Sequence, residues 1–177
     1  MFRETALQIE KTSAQMRETD LRFKETDRKI QEVSRQIGNL GGKWGQFVGN
    51  LVAPNCRKVF AERGIPVHEV HQRVKKRFDD GRNMEIDILV VNTDAVVLVE
   101  VKSTLTVRDI REHLDRLGWF KEFFPRYGDC RVMGAVAGMA SEEGAEEFAR
   151  NQGLFVLVQS GETMELANEA RFQPRVW

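Results

Sequence analysis

The sequence predicts a mixed α/β domain carried behind an N-terminal helical rod. Three observations predict it. An apolar residue recurs at every seventh position from Phe2 to Ile37. Two runs rich in Val, Ile and Leu, Met84–Asn92 and Ala95–Val101, are separated only by Thr93-Asp94. A helical stripe follows at Ile110, Leu114, Leu117 and Phe120. These are the signatures of a coiled coil, a β-hairpin and an amphipathic helix packed on a sheet.

Taken in order, Phe2, Ile9, Met16, Phe23, Ile30 and Ile37 occupy heptad position a, and Thr5, Thr12, Thr19, Thr26, Val33 and Leu40 occupy d. The repeat has no slip, so residues 1–40 are expected to form a coiled-coil oligomerisation helix of ~60 Å. A single amphipathic helix lying on the globule fits less well, because a seam two positions wide leaves the rest of the helix polar. Threonine at d buries little and weakens the seam. In a parallel pair Arg22 at g faces Asp27 at e of the partner, a match that antiparallel pairing loses, so self-association as a parallel dimer or higher oligomer is expected. Gly38, Gly41, Gly42 and Gly45 then cluster. The adjacent pair costs a helix ~2 kcal/mol relative to alanine, which predicts a hinge and a second domain over 41–177.

That domain reads as a helix over Lys43–Arg63, kinked or divided at Pro54, and an edge strand over Val67–Val74. The two apolar strands come next, then a helix over Val107–Phe124. A strand over Arg131–Ala137, a helix over Ser141–Gln152 capped by Ser141 and a strand over Leu154–Gln159 complete it. The expected order is helix, three-stranded antiparallel meander, helix, strand, helix, strand. Nothing definite is legible beyond Gly161.

The composition excludes several classes. Of 177 residues, 41% are apolar and 31% charged, with 27 basic side chains balancing 27 acidic ones. No global positive field marks a nucleic-acid binder, so such binding must rest on local patches. Cys56 and Cys130 lack disulfide or metal-ligand spacing and are expected to be reduced. Residues 1–30 are charged throughout, unlike a secretory signal, and no apolar run approaches the ~20 residues needed to span a bilayer. A cytoplasmic protein with no membrane partner is expected.

The chemistry is concentrated where ionisable residues interrupt the apolar strands. Glu85 and Asp87 lie two apart and share a face, with Met84, Ile86, Ile88 and Val90 opposite. Glu100 and Lys102 also share a face. A two-residue loop at Thr93-Asp94 pairs residues whose numbers sum to 187, which sets Asp87 opposite Glu100 and Glu85 opposite Lys102. Directly opposed side chains have Cβ atoms ~5 Å apart. Two carboxylates at that distance repel, and a hard divalent cation resolves the conflict by taking an oxygen from each. A strand-end ion pair between Lys102 and one acid leaves unexplained why two acids face each other.

Glu85-Ile86-Asp87, a twelve-residue gap and Glu100-Val101-Lys102 resemble the motif of the PD-(D/E)XK nuclease superfamily. The resemblance covers roughly residues 43–158 and extends to uncharacterised bacterial members with a heptad-repeat N-terminus. It implies a restriction-endonuclease-like core that hydrolyses phosphodiester bonds in DNA with Mg²⁺, Mn²⁺ substituting. Asp87, Glu100 and the Val101 carbonyl would be metal ligands, and Lys102 would assist the attacking water. Ile86 replaces the proline of the family's name. The first core helix lacks the glutamate that many members place there, offering Gln46 and Asn50 instead, so Glu85 is a further accessory candidate. The intact Asp87, Glu100 and Lys102 favour an enzyme; the absent glutamate favours a silent binding or assembly module.

Other polar features are less specific. Arg73, Lys75 and Lys76, with Arg77 and Arg82, form a basic stretch that could touch phosphates or simply solvate an edge hairpin. Ser103 could meet a phosphate, or with Thr104 begin the loop into the next helix. His68, His71 and His113 read as solvated or core histidines, and Trp119 and Trp177 as core or interface residues rather than base-stacking platforms.

Overall fold

The computed structural model describes residues 48–177 and, before them, only Gln15, Met16, Thr19, Arg22, Glu25, Thr26, Arg28, Lys29 and Glu32. The chain divides into two compact units, Met1–Lys43 and Trp44–Trp177. The described positions of the first unit are helical. The Thr19 and Thr26 hydroxyls, two of the expected d positions, each donate to the carbonyl four residues back at 2.8 Å. The rest of the expected rod, the glycine hinge and Gln46 lie outside the described residues.

The second unit is mixed α/β. A π-helical turn, Val48–Val52, leads into α1 (Ala53–Ala61), and Pro54 stands in the first turn of α1. The helical backbone therefore continues through Pro54, and only its type changes, from π to α between Val52 and Ala53.

Three strands follow, β1 (Glu69–Arg77), β2 (Asn83–Val91) and β3 (Ala95–Leu105), then α2 (Val107–Phe123), β4 (Arg131–Ser141), α3 (Ala145–Asn151), β5 (Phe155–Ser160) and β6 (Thr163–Leu166). They form one sheet in the order β1-β2-β3-β4-β5-β6. The first three strands are antiparallel, β3-β4 and β4-β5 are parallel across α2 and α3, and β6 returns antiparallel on β5. The β6 hairpin was not legible in the sequence.

Seven consecutive residues of β3, Ala95–Val101, are buried, because helices cover both faces of the central sheet. On one face α1 packs Cys56, Val59 and Phe60 against Ile88, Val97, Val99 and Phe155. On the other, α2 packs Ile110, Leu117 and Phe120 against Leu89, Leu98 and Val136. The approach of α2 to β4 is close: a Cβ on Gly134 would stand 2.5 Å from both Leu117 Cδ1 and Leu154 Cδ2. No helix among the described residues is long and apolar enough to cross a membrane.

Two expectations at this end of the domain are corrected. Ser141 is the last residue of β4, not a helix cap; α3 starts after Gly144, whose φ is +78° and whose position has no side-chain cap. The parallel ladder with β3 runs on to Leu105↔Ser141 and holds Ser141 extended. For the same reason Ser103 and Thr104 lie within β3 rather than in a loop.

Candidate active site

The hairpin joining β2 to β3 turns at Thr93-Asp94, with the Asn92 amide donating to the Ala95 carbonyl. Its ladder runs from Val91↔Val96 to Ile88↔Val99 in the expected register. It stops there, one position short of Asp87 and Glu100. β3 continues along β4 as far as Leu105, so the sheet opens between β2 and β3 just where the acidic residues stand. The half-buried Asp87 carboxylate fills the opening and accepts the Val101 amide through Oδ2 at 2.8 Å. A side-chain oxygen thereby replaces the backbone carbonyl that β2 no longer supplies.

The opposite edge of β2 is interrupted at the same position. β1 pairs with β2 on both sides of Arg73, at Gln72↔Ile88 and Val74↔Ile86, but not at Arg73 itself. Arg73 is the sole non-glycine residue with positive φ, +53°, among those described. A left-handed residue inside a strand costs roughly 1–2 kcal/mol. Around this point the packing of β2 changes side: Ile88 and Val90 join the α1 cluster, whereas Met84 and Ile86 join the α2 cluster. The uniform alternation expected over Met84–Val90 is therefore not kept, because the distorted ladder at Arg73 and Asp87 lets the strand rotate.

Glu100 and Lys102 project to the α2 side of β3. Glu100 is 6% exposed. Its Oε1 lies 2.9 Å from Lys102 Nζ, and its Oε2 lies 2.6 Å from Arg116 Nη2. The second contact is an ion pair without hydrogen-bond alignment, since the buried Nη2 directs no N–H at an acceptor. Lys102 Nζ is also 3.8 Å from Asp109 Oδ1. Asp109 is fixed by the capping box that starts α2, where its Oδ2 accepts from the Thr106 amide at 3.0 Å and the Thr106 hydroxyl at 2.6 Å. The start of α2 therefore positions one partner of Lys102, and its third turn supplies Arg116.

Burial pushes the Glu100 carboxyl above its ordinary range, and the charge of Asp87 adds to this; Arg116 and Lys102 pull the other way. Burial alone would lower Lys102, but the carboxylates of Glu100, Asp109 and Asp87 hold its ammonium above the usual value. The adjacent His113 is buried, and its Nε2 donates to the Leu98 carbonyl at 3.2 Å. Burial, Arg116 and Lys102 together push it down to about 3, so it is neutral.

Other expected site residues fall elsewhere. Glu85 does not meet Lys102: it pairs with Lys75 of β1 at 3.1 Å, because the two are register partners once β2 has left β3. Arg73 and Lys76 are exposed on β1, which is a sheet edge, and Ser103 is exposed on β3. Asn50 is exposed in the π-helical turn. Among the described residues no three His, Cys, Asp or Glu side chains converge as a metal cluster. Trp119 is not a core residue, being 57% exposed. Sequence reasoning missed Asp109 and Arg116; their signal was the spacing Asp109, His113, Arg116 along the border of the α2 apolar stripe.

No protein-family model and no curated protein matches the chain. Several solved structures show a partial similarity to the chain. One is a repair endonuclease from Pyrococcus abyssi, 18% identical with a TM-score of 0.36 over 54% of this chain and 37% of that one. An EndoMS complex with double-stranded DNA is 16% identical with a TM-score of 0.36, over 64% and 44%. The small subunit of the heterodimeric restriction endonuclease R.BspD6I is 18% identical with a TM-score of 0.32, over 59% and 63%. The chain thus spans less than two thirds of each.

The donor set fits a hard divalent cation in part. Asp87 and Glu100 offer carboxylate oxygens, and each has a cation or amide on it whose place a metal ion could share or take. A third protein carboxylate is not in reach among the described residues.

Proposed function

We propose that residues 41–177 form a PD-(D/E)XK-type nuclease domain that hydrolyses phosphodiester bonds in DNA with Mg²⁺, or Mn²⁺ in its place. We further propose that the domain is oligomerised through residues 1–40. The observation that carries the reading is the opening of the β2-β3 ladder at Asp87 and the buried Glu100, with Lys102 2.9 Å from Glu100. Burying a carboxylate such as Glu100 is costly unless it is paired, and Asp87 adds a second acid at the same opening of the sheet.

In this reading Asp87, Glu100 and the Val101 carbonyl hold the metal. Bound there, the ion would polarise the phosphate and lower the pKa of a water. Lys102 orients the attacking water and offsets charge on the phosphate, and Asp109 keeps its ammonium in place. Asn50, Gln46 and Glu85 are accessory candidates. Arg73, Lys75, Lys76 and Ser103 are candidates for backbone contacts, with Lys75 already shared with Glu85. Supercoiled, linear, single-stranded and branched DNA incubated with the full chain and Mg²⁺ tests the reading. Cleavage that Asp87→Asn removes supports it; a wild-type protein that cuts none of them and binds no Mg²⁺ or Mn²⁺ at millimolar concentration overturns it.

A second reading is a catalytically silent domain that binds nucleic acid or supports assembly. It is favoured by the two cations already on Glu100 and by the missing third carboxylate. Titration calorimetry with Mg²⁺ and Mn²⁺ separates the two, since only the first requires a stoichiometric site.

A further inference from the structure

Arg116 has a second surface besides the one on Glu100. It helps line a depression of about 320 Å³ between the start of β2 and the middle of α2, whose other walls include Asn83, Met84, Asp115, Trp119 and Phe123. Met84 and Phe123 are buried and form apolar walls, while Trp119 is 57% exposed. Trp119 follows Arg116 by three residues on the helix, so the Cβ atoms of the indole and the guanidinium side chain are ~5–6 Å apart. Arg82 closes the rim, held by Asp80 and Glu122 and lying over the Phe78 and Phe123 rings. An apolar slot with a bare indole on one side therefore abuts a cation that also touches the proposed metal ligand.

We propose that this slot binds an unpaired nucleobase stacked on Trp119, with the neighbouring phosphate held by Arg116 beside Lys102. The proposal rests on the nuclease reading for the place of that phosphate, and it adds a substrate class: nucleic acid with a base free to leave the duplex. Two features of the slot select a nucleotide as occupant. A base needs a flat apolar face, which every base can use through stacking; its phosphate needs a donor cation, and Arg116, whose Nη2 is buried against Glu100, keeps 27% of its side chain exposed at the slot. Asp115 and Asn83 at the rim offer an acceptor and a mixed donor–acceptor for the base edge.

The test compares two dye-labelled strands of twelve nucleotides, one of thymidines and one of abasic residues with the same phosphates. Binding to the full chain is followed by anisotropy without added metal. Wild type should prefer the thymidine strand by about tenfold, within the range that stacking one base provides. Trp119→Ala should lose that preference and Trp119→Phe should keep most of it. Asp87→Asn should keep the preference while losing any cleavage. Equal binding of both strands by wild type, or a preference that survives Trp119→Ala, overturns the subsite. So does a Trp119→Ala variant that changes the oligomer mass but binds both strands as wild type does. If no DNA is cut and the preference still depends on Trp119, the subsite stands and the nuclease reading falls; cleavage without base preference gives the converse.

Discussion

Lys102 lies between a buried acceptor, Glu100 Oε1 at 2.9 Å, and the helix-capping Asp109 at 3.8 Å. It donates no oxygen to a cation, so its removal separates catalysis from metal binding. Lys102→Ala should reduce Mg²⁺-dependent cleavage by ~10²–10⁴ while calorimetry finds Mg²⁺ bound nearly as before. Asp87→Asn should weaken both, because an amide oxygen replaces a charged ligand poorly. Equal plasmid degradation by wild type and Lys102→Ala would place the activity outside this site. His113 gives a second residue-scale expectation, about pH. Its native value of about 3 lies below the ordinary 6.5, so the unfolded chain takes up a proton that the folded one refuses. Stability is then full above pH 6.5 and falls on acidification toward pH 3, by up to about 1.4 kcal/mol for each pH unit. The raised Glu100 acts with the opposite sign, adding stability as pH falls below its native value. Chemical denaturation between pH 4.5 and 7.5 should show a loss on acidification that His113→Asn flattens; an unchanged slope in the variant would assign the loss to other groups.

The element that matters most is β2, which at Asp87 leaves β3 and loses one pair of its ladder with β1. On the β3 side Asp87 takes over as acceptor for Val101. On the β1 side Arg73 turns left-handed at φ +53°. Strain at such a point persists only where surrounding structure holds it. The order of strand preferences should therefore invert at position 73. Arg73→Gly should be neutral or stabilising by up to ~1 kcal/mol, since glycine accepts positive φ but frees the unfolded chain. Arg73→Val, ordinarily the better strand residue, should destabilise by ~1–2 kcal/mol. Urea midpoints of the two variants check this, and a valine variant as stable as the glycine one would mean that β1 re-pairs with Asp87 at no cost.

At the scale of the whole molecule, the chain separates into Met1–Lys43 and Trp44–Trp177. The heptad pattern of the first unit, with Lys29 and Glu25 paired at 2.8 Å along its helix, leads to an expectation about mass. Light scattering should report a dimer or larger species for the full chain at tens of micromolar and a monomer once residues 1–40 are removed. A full-length monomer at that concentration would end the idea of a coiled-coil rod. Threonine at four of the six d positions predicts an assembly that dissociates on dilution sooner than an Ile/Leu seam would.

Periodicity and turn chemistry alone determined the hairpin register and the order of the first eight elements of the second unit. These are local quantities: strand alternation and a two-residue loop leave one register, and short connections leave one topology. Tertiary structure decided what those residues do to one another. The sheet opens at Asp87, so Glu85 turns to Lys75 and β2 changes the side on which it packs. The length of β4 was set by its parallel partner rather than by its own serine and glycines. The charge partners of Glu100 and Lys102 come from α2, at residues 116 and 109. No pattern within β2 or β3 contains that contact, because it depends on how a helix crosses a sheet, and that is fixed by packing of the two apolar faces across the whole domain.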